Sequence, residues 1–145
     1  HYVEALRATP DGPDRDALSA RARDWLAQAA ERATKLGSPE QALILSEQAL
    51  SITPAGAERV AILQGAARAA DDALKPEQQL GYLREAVAIL GDLGEVDAEI
   101  ATMGLLATAL GGQDCVDELR LLVEQMRGRL DTTPDALAHA EYDHA

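Results

Sequence analysis

Between about residues 14 and 130 apolar side chains recur at steps of three and four rather than at alternate positions, the spacing of helices that each bury one stripe. The first stretch, from about 14 to 36, places Leu18, Ala22, Trp25, Leu26, Ala29, Ala30 and Ala33 on one side. It stops at Gly37, where a left-handed backbone costs glycine little. The same spacing predicts helices over about 39–52, 57–74, 76–90, 95–110 and 114–130. Thr53-Pro54-Ala55-Gly56, the stretch from Gly91 to Gly94, and Gly111-Gly112 separate them. Residues 1–9 have the makings of a short helix, ended by Pro10-Asp11-Gly12-Pro13-Asp14. Breaks this short place consecutive helices antiparallel.

The text of these helices repeats. Ser38-Pro39-Glu40-Gln41-Ala42 and Lys75-Pro76-Glu77-Gln78-Gln79 open two of them with the same Pro-Glu-Gln, 37 residues apart. Ser38 is expected to cap its helix, with Pro39 as the first helical residue and Gln41 completing a capping box. An overlay at 37 residues sets Leu26 against Leu63 and Ile100, Ala29 against Ala66 and Met103, and Ala33 against Ala70 and Ala107. Ala49 meets Ala86, and the last helix fits one residue short, with Leu83 against Leu119. Ala30, Ala67 and Gly104 coincide, so close helix contacts are expected at all three. The chain divides accordingly into an N-terminal helix and turn (1–13), an array of three hairpins (14–54, 57–91 and 95–130) and an acidic tail or capping helix (131–145).

In the first unit Leu26, Ala30, Ala33, Gly37, Ala42, Ala49 and Pro54 follow the pattern of small, apolar and closing positions that resembles the tetratricopeptide (TPR) repeat. The resemblance covers roughly 23–130 and implies an all-α fold, a right-handed α-α superhelix of about three hairpins. Two features depart from it: the period is 37 rather than the usual ~34, and Leu74 stands at the glycine of a hairpin turn. In that family the first helix of each pair lines a concave groove. The resemblance therefore puts Asp24, Ala27, Glu31 and Thr34, then Ala61, Gln64, Arg68 and Asp71, then Ala98, Ala101, Leu105 and Thr108 on one binding face. Gln64, Arg68, Asp71 and Leu105 are its partner-binding candidates. Members that clamp a terminal carboxylate use Lys, Asn and Arg there, where this chain has Ala27, Glu31, Gln64 and Ala101. The wording of the first unit, together with HYVEAL before it and LREAVAIL later, also resembles repeat regions that follow ATPase domains in large bacterial regulators, among them class III adenylate cyclases and LuxR-type activators. That resemblance implies a segment of a signalling protein.

Composition narrows the partner. Apolar residues make up 47% of the chain with no Phe and one Trp, a core of Ala and Leu between helices. A net charge of −12 argues against a sequence-independent grip on nucleic acid or on an anionic membrane. No apolar run approaches the ~20 residues of a membrane span. The lone Cys115 excludes an internal disulfide framework and fits a reducing, cytoplasmic setting. The start at His1 suggests a piece of a longer protein.

No catalytic constellation emerges. The glycine pairs lack the Lys-Ser/Thr ending of a phosphate loop. Cys115 has no His nearby in the sequence and reads as a small packed residue. Asp71-Asp72 and Asp14/Asp16 read as exposed helix faces. His139, Glu141, Asp143 and His144 read as a solvated acidic tail rather than a metal site. The sequence thus points to a protein or peptide partner, no cofactor, no metal and no enzyme. The alternatives are a helical subdomain that completes a cyclase, ATPase or other nucleotide switch, and a self-association module forming a weak homodimer.

Overall fold

The computed structural model describes residues 2–132, in which seven helices follow one another: α1 (Tyr2–Ala8), α2 (Pro13–Lys35), α3 (Pro39–Leu50), α4 (Ala57–Asp72), α5 (Pro76–Leu93), α6 (Val96–Gly111) and α7 (Val116–Asp131). The described residues form no strand. Each helix packs on the next, and α2 also touches α4, so the pairs α2–α3, α4–α5 and α6–α7 stack as hairpins. The acidic tail or capping helix expected over 131–145 lies, after residue 132, outside the described residues, and so does the His139 to His144 group.

Small side chains let the hairpins approach closely. Ala22, Ala49, Ala66, Ala70 and Ala86 are wholly buried, and Leu26, Leu63, Met103, Leu106 and Leu110 fill the space between them. Trp25 is not part of this core: it is 47% exposed, whereas its neighbour Leu26 points inward. Of the three small residues expected at close contacts, Ala67 is buried, but Ala30 and Gly104 are only half-buried, and a Cβ at Gly104 would meet nothing within 4 Å. The third hairpin has slipped. Its buried set, Met103, Leu106 and Leu110, matches Leu63, Ala66 and Ala70 at an offset of 40 rather than 37.

The turns inside the hairpins carry the same displacement. After α2 the Ser38 amide donates to the Ala33 carbonyl (2.9 Å) and the Gly37 amide to Thr34 (3.1 Å), with Gly37 at φ +73°. After α4 the Lys75 amide donates to Ala70 (2.8 Å) and Leu74 to Asp71 (3.0 Å), now with a leucine at φ +58°. After α6 the matching bond runs from Cys115 to Leu110 (3.4 Å), and the left-handed residue is Asp114 at φ +56°. The glycines at 111 and 112 are not the turning residues: Asp114 stands 40 residues after Leu74, so this turn keeps the displaced register of α6.

Ser38 begins α3 without the expected side-chain cap. Its backbone, φ −115° and ψ 72°, is reproduced by Lys75 at −115° and 73°, a residue with no capping oxygen. The preceding left-handed turn and the following proline set the conformation of both. α5 likewise does not stop at Gly91 but runs to Leu93 and ends on Gly94 at φ +71°. Gly91 is there for room: a Cβ on it would stand 3.2 Å from Oε1 of the buried Glu99.

Two joints between helices share a design absent from the overlay at 37. Leu-x-x-Thr-Pro-x-Gly-x-x-Arg occurs at 6–15 and again at 50–59. Arg15 Nη1 donates to the carbonyls of Leu6 (2.6 Å) and Thr9 (2.7 Å), and Arg59 Nη1 to those of Leu50 (2.7 Å) and Thr53 (2.7 Å). The Thr9 and Thr53 hydroxyls donate back to Ala5 (2.7 Å) and Ala49 (2.6 Å). Carbonyls left over at a helix end are thus met by a cation held in the next helix. α1 therefore occupies the place that α3 has one unit later, and belongs to the array rather than preceding it.

Candidate functional site

The first helices α2, α4 and α6 share one face, and two clefts open on it. One of about 500 Å³ lies among α2, α3 and α4, lined by Asp24, Ala27, Glu31 and Thr34 from α2 and by Glu58, Ala61, Gly65 and Arg68 from α4, with Ser46 and Ala49 below. The other, of about 540 Å³, lies among α4, α5 and α6, lined by Gln64, Arg68, Asp71, Gln79, Leu83, Leu105 and Thr108 among others. Helical periodicity explains the grouping, since Ala61, Gln64, Arg68 and Asp71 recur at three- and four-residue steps along α4.

Gln64, Arg68, Asp71 and Leu105 all line the second cleft. Of the further groove positions, only Ala98 and Ala101 line neither cleft. Glu58 and Gly65 are lining residues that the alignment did not single out. Gly65 was legible as the position between Ala61 and Arg68 on the same helical stripe. Glu58, held by Arg23 Nε at 3.0 Å, required the tertiary pairing of α2 with α4.

Arg68 lines both clefts and is the one basic side chain in either lining. It is exposed and makes no hydrogen bond or ion pair among the described residues, so it does not pair with Asp71 in its own helix. Around it the charges are mixed. Glu31 is tied to Lys35 (2.8 Å), whose hydrogen bond holds the Glu31 carboxyl below the usual carboxylate range. Asp24 and Asp71 carry no ion pair among the described residues. Gln64 Nε2 reaches Thr102 Oγ1 only at 3.5 Å, and Leu105 is 57% exposed. The second cleft therefore offers a guanidinium, the Asp71 carboxylate, amide groups and an exposed aliphatic side chain.

Among the described residues no group of His, Cys, Asp and Glu is arranged to hold a metal, and no described helix is long and apolar enough to cross a membrane. Cys115 is half-buried at the start of α7, its Sγ 3.6 Å from the Gln113 carbonyl.

No family model matches the chain, and no curated protein sequence does. Two solved structures do. One is a Podosopora anserina kinesin light chain protein with nearly identical TPR-like repeats, 23% identical, with a TM-score of 0.59. The other is a point-substituted variant of that same protein, also 23% identical, at 0.60. Each alignment covers 83% of this chain and 62% of the other, so the chain spans less than two thirds of the proteins it matches. Neither is one of the bacterial regulators that the first unit resembles. The likeness fixes the fold: an all-helical stack of TPR-like hairpins.

Proposed function

We propose that this chain is a protein-interaction module that holds a peptide segment of a partner protein on the face shared by α2, α4 and α6, with Arg68 as the anchoring charge. The observation that carries this reading is the position of Arg68, a cation without a partner among the described residues, between two clefts of a chain whose net charge is −12. A guanidinium in that setting matches a carboxylate, either an acidic side chain or a C-terminus, in a bidentate pair. Leu105 beside it matches an aliphatic residue of the same segment. TPR-like scaffolds serve this kind of role, and no catalysis is assigned to the chain. Its place within a larger bacterial signalling protein in the cytoplasm is part of the proposal and rests on the resemblance of the first unit and the lone cysteine.

The test is a peptide array probed with the wild-type chain and with Arg68→Glu. Peptides carrying an acidic or C-terminal carboxylate next to an aliphatic residue are expected to bind the wild type and to lose about tenfold or more in affinity on charge reversal. Identical binding patterns for the two proteins would remove this face from use.

A further inference from the structure

A third cleft, on the joints rather than on the first-helix face, has a different chemistry. It measures about 640 Å³ and is lined by Leu6, Arg7, Arg15 and Ser19 on one side and by Leu50, Ser51, Ile52, Thr53, Pro54 and Arg59 on the other. The two Leu-x-x-Thr-Pro-x-Gly-x-x-Arg joints thus face one space. Three arginines line it and no carboxylate does, in a protein with 25 acidic residues.

Two of these guanidinium groups are fixed before any ligand arrives. Arg15 and Arg59 each spend Nη1 on two main-chain carbonyls. On the Nε edge Arg15 meets Asp11 at 3.4 Å and Arg59 meets Glu85 at 2.5 Å. The Nη2 group of each makes no hydrogen bond among the described residues, which leaves donors in a held fork. Arg7 makes no hydrogen bond or ion pair among them. Ser19 Oγ accepts from Arg23 Nη1 (2.7 Å), so its own hydrogen is still available to donate.

We infer that this cleft is an anion site for a phosphate monoester. Such a group carries close to two negative charges and three acceptor oxygens, which suits several guanidinium groups better than a single carboxylate does. Restraint of Arg15 and Arg59 by the carbonyls lowers the ordering cost of binding. The volume exceeds that of an inorganic phosphate, so the cleft admits whatever carries the phosphoryl group. That carrier is either a small molecule or a phosphorylated side chain, and the chemistry read by the arginines is the same.

Isothermal titration calorimetry of the full chain at low ionic strength, where screening is weak, tests this with glycerol 3-phosphate and with a phosphoserine peptide alongside its unphosphorylated form. Saturable binding of either phosphorylated probe is expected, about tenfold weaker in Arg7→Ala and unchanged in Arg120→Ala, a control on the exposed side of α7. Arg7 holds nothing among the described residues, so its variant is expected to melt like the wild type. Binding of glycerol 3-phosphate alone assigns the site to a small phosphorylated compound, and stronger binding of the phosphopeptide assigns it to a modified protein. The inference is overturned if neither probe saturates, if Arg7→Ala binds as well as wild type, or if Arg120→Ala weakens binding equally.

Discussion

The joints ending in Arg15 and Arg59 and the joint at Gly94 turn the chain between hairpins by different means. In the first two a guanidinium from the next helix satisfies carbonyls at the end of the previous one. In the third no arginine is available. At the offset of 40 the residue matching Arg59 is Glu99, buried, with Oε1 3.2 Å from Arg129 Nη2 of α7 and Oε2 without a partner among the described residues. α5 runs past Gly91 to Leu93, and the Glu95 amide donates to Leu90 (3.1 Å) beside the left-handed Gly94. A side-chain joint fixes the angle between two helices through a long-range contact. A glycine joint leaves that to packing, and here the third hairpin loses the 37-residue register.

The largest effect that tests this contrast is loss of the arginine. Arg59→Ala removes two charge-assisted hydrogen bonds and the Glu85 pair from a half-buried position, and is expected to cost about 2–3 kcal/mol in urea unfolding. Arg15→Ala makes the same deletion beside the seven-residue α1, where only a short terminal helix is released, and should cost about 1 kcal/mol. Equal and negligible losses at both sites would show that the arginines accompany the joints without holding them.

Next in size is the comparison of the turns inside the hairpins. Leu74 sits at φ +58° with 87% of its surface exposed, so it carries the strain of a left-handed residue with little packing in return. Leu74→Gly is expected to raise stability by about 1 kcal/mol, and Gly37→Ala to lower it by about the same. A melting temperature that falls in Leu74→Gly would point to a contact made by the leucine that outweighs the backbone strain.

A smaller change tests the slipped register. Gly104 is in the middle of α6 with open space where its Cβ would be, so Gly104→Ala should stabilise by about 0.5–1 kcal/mol through helix propensity alone. Destabilisation there would return Gly104 to the close contact that the 37-residue overlay gives it.

The smallest effect belongs to the tie between the second hairpin and α7. Arg84 holds Glu118 through two hydrogen bonds of 2.7 Å, and these keep the Glu118 carboxyl below its ordinary value. A lowered folded-state pKa means that the contribution is full above the unfolded value of 4.5 and fades as pH falls through the folded one. Both side chains are more than a third exposed, so the difference between wild type and Arg84→Ala should be under about 1 kcal/mol at pH 7. It should shrink further in acid, and a difference that persists unchanged at pH 2 would assign the effect to the arginine stem rather than to the charge pair.

The helices, their order, the hairpin pairing and the repeat in the first two units were legible in the sequence. Each rests on local chemistry: apolar spacing, proline at a helix start, glycine or its substitute after a helix end. The positions along α4 were legible too, because periodicity within one helix places Gln64, Arg68 and Asp71 on a common stripe. Only the tertiary structure decided what depends on contacts between distant residues. It showed that Arg68 has no partner among the described residues and that Trp25 faces out while Leu26 faces in. It also showed that Gly91 makes room for Glu99 and that the third hairpin is displaced by three residues. The joint motif was written in the sequence, yet a 44-residue recurrence is invisible to an overlay at 37. Its meaning appeared only when Arg15 and Arg59 were seen to bond carbonyls nine and six residues behind them.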